Sequence, residues 1–332
     1  MNNTVFIDNR GNTDPRINLA LEEYALRNLD ISRDYILFYI NRPSVIIGRH
    51  QNTMEEINYE FIRENGVIVV RRISGGGAVY HDPGNLNFSF ITSYDRSKFN
   101  NYVKFNRPII EALQSLGVQA ELTGRNDIVV GERKISGNAQ FTSKNRMFSH
   151  GTLLFDSDLE KVVQALQVKA GKIESKGIKS VRSRVANISE FLNHGMDINR
   201  FRDYLLKYLF AGLEETPEYH FSEPEWERIK QFAREKYFRW DWNYGESPQF
   251  NVKNTRRFPF GEIDIRILVE KGYIRNIKFY GDFFARAEIE ELQNLLINIP
   301  YDRDPIEESL QGVDLTVYFG DIRLEEFLDL LF

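Results

Sequence analysis

Arg71-Arg72-Ile73-Ser74-Gly75-Gly76-Gly77-Ala78-Val79-Tyr80-His81-Asp82 is the stretch on which the reading of this chain turns. The apolar run at 67–70 leads into it. Asp82-Pro83-Gly84-Asn85 turns out of it into Leu86, Phe88 and Phe90, which alternate with Asn87 and Ser89. Alternation at period two marks a half-buried strand. The glycines are therefore expected in a hairpin between strands, with no helix opening behind them. Phosphate loops of the dinucleotide and P-loop kinds need that helix, and neither G-x-G-x-x-G nor G-x-x-x-x-G-K-[ST] is present. Residues without Cβ allow close backbone approach and positive φ, and N–H groups exposed in this way can face an anion. Arg71 and Arg72 add fork-shaped donors suited to phosphate or carboxylate. With Ser74 before the glycines and His81 after them, the stretch reads as an anion site rather than a plain turn.

Length and composition bound what surrounds it. The 332 residues suit one large or two unequal domains, and 42% hydrophobic with 13% aromatic residues can fill a sizeable core. A net charge of −5 argues against general nucleic-acid binding. No apolar run reaches the ~18–20 residues of a membrane span, and no signal peptide opens the chain. A cytoplasmic protein that engages neither membrane nor nucleic acid is expected. Cysteine is absent, which removes disulfides, thiolate metal sites and any thioester-forming nucleophile. The five histidines, His50, His81, His150, His194 and His220, lack metal-site spacing.

Taken in order, residues 4–7 read as a strand, and Asp14-Pro15 caps a helix over 15–29. Strands follow at 34–40 and 44–47, then a helix opened by a Thr53/Glu56 capping box and ended by Gly66. Pro108 opens a helix to Leu116, before a strand at 118–122. Gly131-Glu132 fits a II′ turn between two strands. On the second of these strands Ile135 is expected on one face, with Lys134 and Ser136 on the other. A third strand, 147–155, carries Ser149-His150-Gly151-Thr152. Across 169–184 six Lys and Arg residues stand against Glu174 alone, a local charge of +5; the segment reads as a mobile basic loop. Helices at 187–193, 198–213 and 223–237 lead to an aromatic cluster ending in Gly245. The domain boundary is placed there, giving domains 1–245 and 246–332. Beyond it a hairpin, 262–269 and 273–280, and helices at 286–298, 305–311 and 321–331 form a small α+β module.

Arg-Arg-x-Ser-Gly-Gly-Gly-Ala-Val-Tyr-His-Asp-x-Gly-Asn at 71–85 resembles the signature of the lipoate–protein ligase A family. Gly-Arg-Asn-Asp at 124–127, Lys-Ile-Ser-Gly-Asn-Ala at 134–139, His-Gly-Thr-Leu at 150–153 and Lys176-Gly177 through Val181-Arg182-Ser183-Arg184-Val185 match its other blocks in order. The likeness runs from about Asn18 to Gly245 and includes a C-terminal domain of the expected length. It implies an α+β fold: a mixed, largely antiparallel sheet flanked by helices, shared with biotin ligases, plus a small α+β accessory domain. It also implies a two-step reaction, in which lipoate and ATP give lipoyl-AMP and pyrophosphate, and the ε-amine of a lysine then takes the acyl group and releases AMP. The implied partners are lipoyl domains of 2-oxoacid dehydrogenase E2 subunits or the glycine-cleavage H protein. Octanoate is an alternative acyl substrate.

What the residues offer agrees with that chemistry. A carboxylate needs a good leaving group before it acylates anything, and AMP supplies one without a covalent enzyme nucleophile. The protein must then supply positioning and cationic stabilisation. Lys134 is the candidate catalytic residue, touching both carboxylate and α-phosphate. By position in the resemblance, Arg72, Gly77, Ala78, Val79 and Tyr80 with Lys134 would hold ATP. Arg71, Ser74, Gly75, Gly76, His81 and His150, again with Lys134, would line the lipoate end. Leu19 and Val45 are candidate walls of the acyl pocket. Asp127 is the expected Mg²⁺ ligand, since a triphosphate normally arrives with the ion. The basic segment matches the family's loop over the adenylate. Three rivals remain in view: a cysteine-thioester acyltransferase of the same fold, disfavoured because there is no cysteine; a biotin ligase, whose Gly-Arg-Gly-Arg-type loop is missing; and a non-catalytic lipoate-binding protein, for which the Lys134 block would have no use.

Overall fold

The computed structural model describes residues 3–95, 97–124, 126–166, 184–244 and 250–332. Contacts divide the chain into two compact units. The first comprises Met1–Ile46, Met54–Arg71 and Val79–Asn243. The second comprises Ile47–Thr53, Arg72–Ala78 and Tyr244–Phe332. Two short inner segments, one of them the glycine stretch, thus cluster with the C-terminal part of the chain.

The first unit is built on an eight-stranded sheet. In chain order its strands are β1 (Thr4–Ile7), β2 (Asp34–Ile40), β6 (Asn85–Ser93), β7 (Ala120–Thr123), β8 (Asp127–Val130), β9 (Arg133–Ser143), β10 (Arg146–Leu154) and β11 (Glu218–Tyr219). Their spatial order is β11-β1-β2-β6-β10-β9-β8-β7. Among the described residues the β1–β2 and β1–β11 pairs are parallel and the other strand pairs of this sheet are antiparallel. This is the mixed, largely antiparallel sheet expected. Phe38, Leu86, Phe88, Ile128, Ile135 and Leu153 bury one side of it with Ile109, Leu113, Phe201 and Leu205 from the helices Tyr102–Ser115 and Ile198–Leu209.

A smaller sheet holds the glycine stretch, and here the expectation fails. Strands β3 (Ser44–Ile47), β4 (Ile68–Arg71) and β5 (Val79–His81) lie in the order β4-β3-β5. The glycines therefore do not form a hairpin. They carry the chain over β3, which pairs with both flanking strands. A hairpin presumes that sequence neighbours pair, whereas β3 enters from more than twenty residues upstream.

Other boundaries shift for local reasons. The helix expected to begin at Pro108 begins at Tyr102, because Asn101 caps it by accepting from the Lys104 N–H; Pro108 sits inside. The long helix expected from Thr53 is a single turn, Thr53–Glu56, in which Thr53 is the first helical residue, and a separate helix, Tyr59–Glu64, is capped by Asn58. Where a helix over 187–193 is expected there is a short 3-10 turn, Ile188–Phe191, opened by an Asn187/Glu190 capping box.

In the second unit, β12 (Val252–Phe258), β13 (Gly261–Glu270) and β14 (Tyr273–Gly281) form an antiparallel sheet. Lys271 and Gly272 both take positive φ, 52° and 81°, as a two-residue I′ hairpin requires. Ile263, Ile265, Ile267 and Phe279 pack against Leu292, Ile306, Phe327 and Leu331 from the helices that follow. Among the described residues, no helix is long and apolar enough to cross a membrane.

Candidate active site

Strands β8 and β9 join across Gly131-Glu132. Gly131 has φ 61° and Glu132 is not among the residues of positive φ, the pattern of a II′ turn. Lys134 lies opposite Val129. Its N–H donates to Arg184 O at 2.7 Å and its carbonyl accepts from Ala186 N at 3.0 Å. Segment 184–186 thus takes the flank of β9 that β10 occupies further along. The Lys134 ammonium lies 2.8 Å from Asp127 Oδ1, with 38% and 35% of the two side chains exposed. The register slips between Ile128 and Val129, so strict alternation does not run through this part of β9. Ser136, expected on Lys134's face, is instead fully buried, as Ile135 is.

The two expected histidines are both buried and both hydrogen-bonded. On β5, His81 Nδ1 lies 3.0 Å from Asn41 Nδ2. On β10, His150 Nδ1 lies 3.0 and 3.1 Å from the two carboxylate oxygens of Glu22. Tyr80 pairs with Val45; burial, with Asp82 and Asp158 nearby, pushes its phenol up to about 12, so it stays a neutral hydroxyl. Leu19 and Val45 are both buried.

Arg71 and Arg72 are committed within the protein. The Arg71 guanidinium donates to the carbonyls of Trp242 at 3.0 Å and Asn243 at 3.3 Å, while its backbone carbonyl accepts from Trp242 Nε1 at 2.8 Å. Arg72 donates to Gly75 O at 2.7 Å, Gly77 O at 2.9 Å and Ser74 Oγ at 3.1 Å. The glycine loop is thereby wrapped around one guanidinium. A Cβ built on Gly75 would stand 2.4 Å from Phe283 O, and one on Gly76, whose φ is 93°, 3.0 Å from the Phe284 ring. A Cβ on Gly48 would fall 1.8 Å from Gly76 O. Close packing requires glycine at 48, 75 and 76.

Of the expected site residues, Arg71, Val79, Tyr80, His81, Asp127, Lys134 and His150 belong to the first unit; Arg72, Ser74, Gly75, Gly76, Gly77 and Ala78 belong to the second. The structure joins Lys134 to Asp127 and gathers Ser74, Gly75 and Gly77 on Arg72. Sequence reasoning did not name Asn41 and Glu22, the hydrogen-bond partners of the two histidines. The available signal was polar residues at positions whose helical or strand neighbours are apolar. Apart from Arg184, the basic segment 169–184 lies outside the described residues.

Residues 14–210 match the model of the lipoyl protein ligase A/B catalytic domain, and residues 247–331 that of the bacterial lipoate protein ligase C-terminus. The chain belongs to the lipoate–protein ligase family, and its activity class is that of a protein ligase. The lipoate-protein ligase LplJ of Bacillus subtilis (strain 168) is 57% identical over 330 residues, covering 99% of this chain and 100% of that one. The crystal structure of P. falciparum LipL1 in complex with lipoate superposes with a TM-score of 0.78 at 25% identity, covering 98% of this chain and 97% of that one. A crystal structure of lipoate-protein ligase A bound with ATP superposes with a TM-score of 0.62 at 29% identity, covering 73% and 98%.

Proposed function

We propose that this chain joins lipoate to protein in two steps at one site. A lipoate carboxylate oxygen attacks the α-phosphorus of ATP, pyrophosphate leaves, and lipoyl-AMP remains bound. The neutral ε-amine of an acceptor lysine then attacks the acyl carbonyl, AMP leaves, and the nitrogen loses a proton. Octanoate could replace lipoate without altering either step. The proposed acceptors are lipoyl domains of 2-oxoacid dehydrogenase E2 subunits or of the glycine-cleavage H protein, reached in the cytoplasm. Residues 1–245 are assigned the chemistry and 246–332 an accessory role.

Lys134 carries this reading. A half-exposed ammonium on a strand, held 2.8 Å from Asp127, can exchange its carboxylate partner for a phosphate or an acyl carboxylate at little cost. Cationic stabilisation of that kind is what adenylation needs. Val79 and Tyr80, with Gly77 and Ala78, are assigned to the nucleotide; Ser74, Gly75, Gly76, His81 and His150 are assigned to the lipoyl end. Arg71 and Arg72 then act mainly by fixing the strand end and the loop. For Mg²⁺, the single carboxylate of Asp127 fits an ion that usually takes one or two carboxylates and leaves its other positions to water and phosphate. Bound there, Mg²⁺ would neutralise charge on the triphosphate.

The test is to incubate the full chain with ATP, Mg²⁺, lipoate and a lipoyl domain, and to weigh the acceptor. A mass gain of one lipoyl group that depends on ATP is expected. Gain without ATP, or no gain with it, would overturn the proposal.

A further inference from the structure

We infer that the first helix, Pro15–Asn28, sets the two site histidines in opposite tautomers, His81 through Asn18 and Asn41, and His150 through Glu22. The inference rests on the reading above in placing both histidines at the site. Asn18 and Glu22 stand four residues apart, hence on one face of the helix, and both are buried, as are Asn41, His81 and His150.

The direction of each hydrogen bond follows from backbone groups whose roles cannot change. Asn12 O can only accept, and the Nδ2 groups of Asn9 and Asn18 each reach it at 2.9 Å. Asn9 Oδ1 accepts from the Gly11 N–H at 3.2 Å, which fixes that amide a second time. Asn9 Nδ2 also donates to Asn18 Oδ1 at 3.1 Å, and Asn18 Nδ2 to Asn41 Oδ1 at 2.9 Å. Asn41 is therefore oriented with its NH₂ toward His81 Nδ1, 3.0 Å away. An amide NH₂ only donates, so Nδ1 accepts and the neutral ring carries its proton on Nε2. The carboxylate of Glu22 only accepts. It lies within 3.0 and 3.1 Å of His150 Nδ1, so that nitrogen carries the proton and Nε2 of the neutral ring is the basic atom.

The pair is thus differentiated. The Nε2 proton of His81, on a buried atom, is assigned to an acyl or phosphate oxygen, and the Nε2 lone pair of His150 to a proton from an incoming ammonium. Asn18, Asn41 and Glu22 are positioning residues: they act through the rings.

The tautomers can be read by two-bond ¹H–¹⁵N correlation spectra of the full chain labelled in histidine. The pH would be about 8.5, some two units above the ordinary imidazole value, with each ring assigned through single His→Gln variants. The expected result is Nε2–H for His81 and Nδ1–H for His150 in the unaltered protein. Either ring in the other form overturns the inference without reference to activity. Asn41→Asp replaces the donating amide by an accepting carboxylate; it should invert His81 alone and leave His150 as it is. Lipoyl-AMP formation should then lose about a hundredfold in kcat, the effect of removing one aligned donor, with little change in KM. An inverted ring with unchanged kcat would refute the positioning role. Should Asn41→Asp fail to fold, the spectrum of the unaltered protein still decides the tautomers. Full lipoylation by both His81→Gln and His150→Gln would instead remove the histidines from the site.

Discussion

The Lys134 ammonium and the Asp127 carboxylate stand 2.8 Å apart, on adjacent strands joined by a two-residue turn. A pair exposed to this degree contributes about 0–1 kcal/mol to stability. Lys134→Ala should therefore leave the thermal midpoint within a few degrees while lowering lipoyl-AMP formation by at least about a hundredfold. Pyrophosphate release measured beside a melting curve checks both halves. A mutant of near-normal turnover would remove Lys134 from the chemistry.

Asp127→Asn separates two tasks that one carboxylate could serve. If Asp127 helps hold Mg²⁺, the variant should need several-fold more of the ion to reach half-maximal rate, and excess Mg²⁺ should restore most of the activity. A rate that falls equally at all Mg²⁺ concentrations would show that Asp127 acts only through Lys134.

Gly75→Ala tests the packing of the loop. The added methyl would meet the Phe283 carbonyl at 2.4 Å, and backbone does not yield as a side-chain tip does. A loss of about 1–3 kcal/mol is expected, read from urea denaturation. Unaltered stability would mean that the loop and Phe283 do not lie as described.

Glu23 predicts acid sensitivity. Burial alone would raise its carboxyl, but Lys236, the Tyr237 hydroxyl at 2.6 Å and Arg27 outweigh burial and hold it below the ordinary 4.5. A depressed carboxylate stabilises the fold fully above its unfolded value and loses that contribution as pH falls through its folded value. Glu23→Gln should cost about 3 kcal/mol near neutrality, since it leaves the partner ammonium uncompensated. The gap from the unaltered protein should narrow below about pH 4.5. Denaturation midpoints across pH give the comparison, and a gap that does not vary with pH would contradict the assignment.

Local signals carried much of the fold. Alternation marked β6 and Asp14-Pro15 the first helix, because each depends on residues a few positions apart. Where the deciding partner is distant, the sequence was silent. Nothing near Gly75 says that β3 lies between the strands flanking it. Pro108 resembled a helix start because its effect is local, while the cap that decides the start, Asn101, lies seven residues earlier. Among the candidate site residues, Lys134 and the histidines could be named from their motifs. Their partners could not, since Glu22 and His150 are separated by 128 positions.

The helix that carries Asn18 and Glu22 works as a ruler. Four residues of α-helix span about 6 Å at a rotation close to one full turn, so peptide geometry, rather than any loop, spaces the two histidine anchors. A single residue inserted between Asn18 and Glu22 would swing one of them by roughly 100°, taking Asn18 from Asn41 or Glu22 from His150 while leaving every motif residue in the sequence. Such a chain would keep the full signature of the family and lose one of its two anchors.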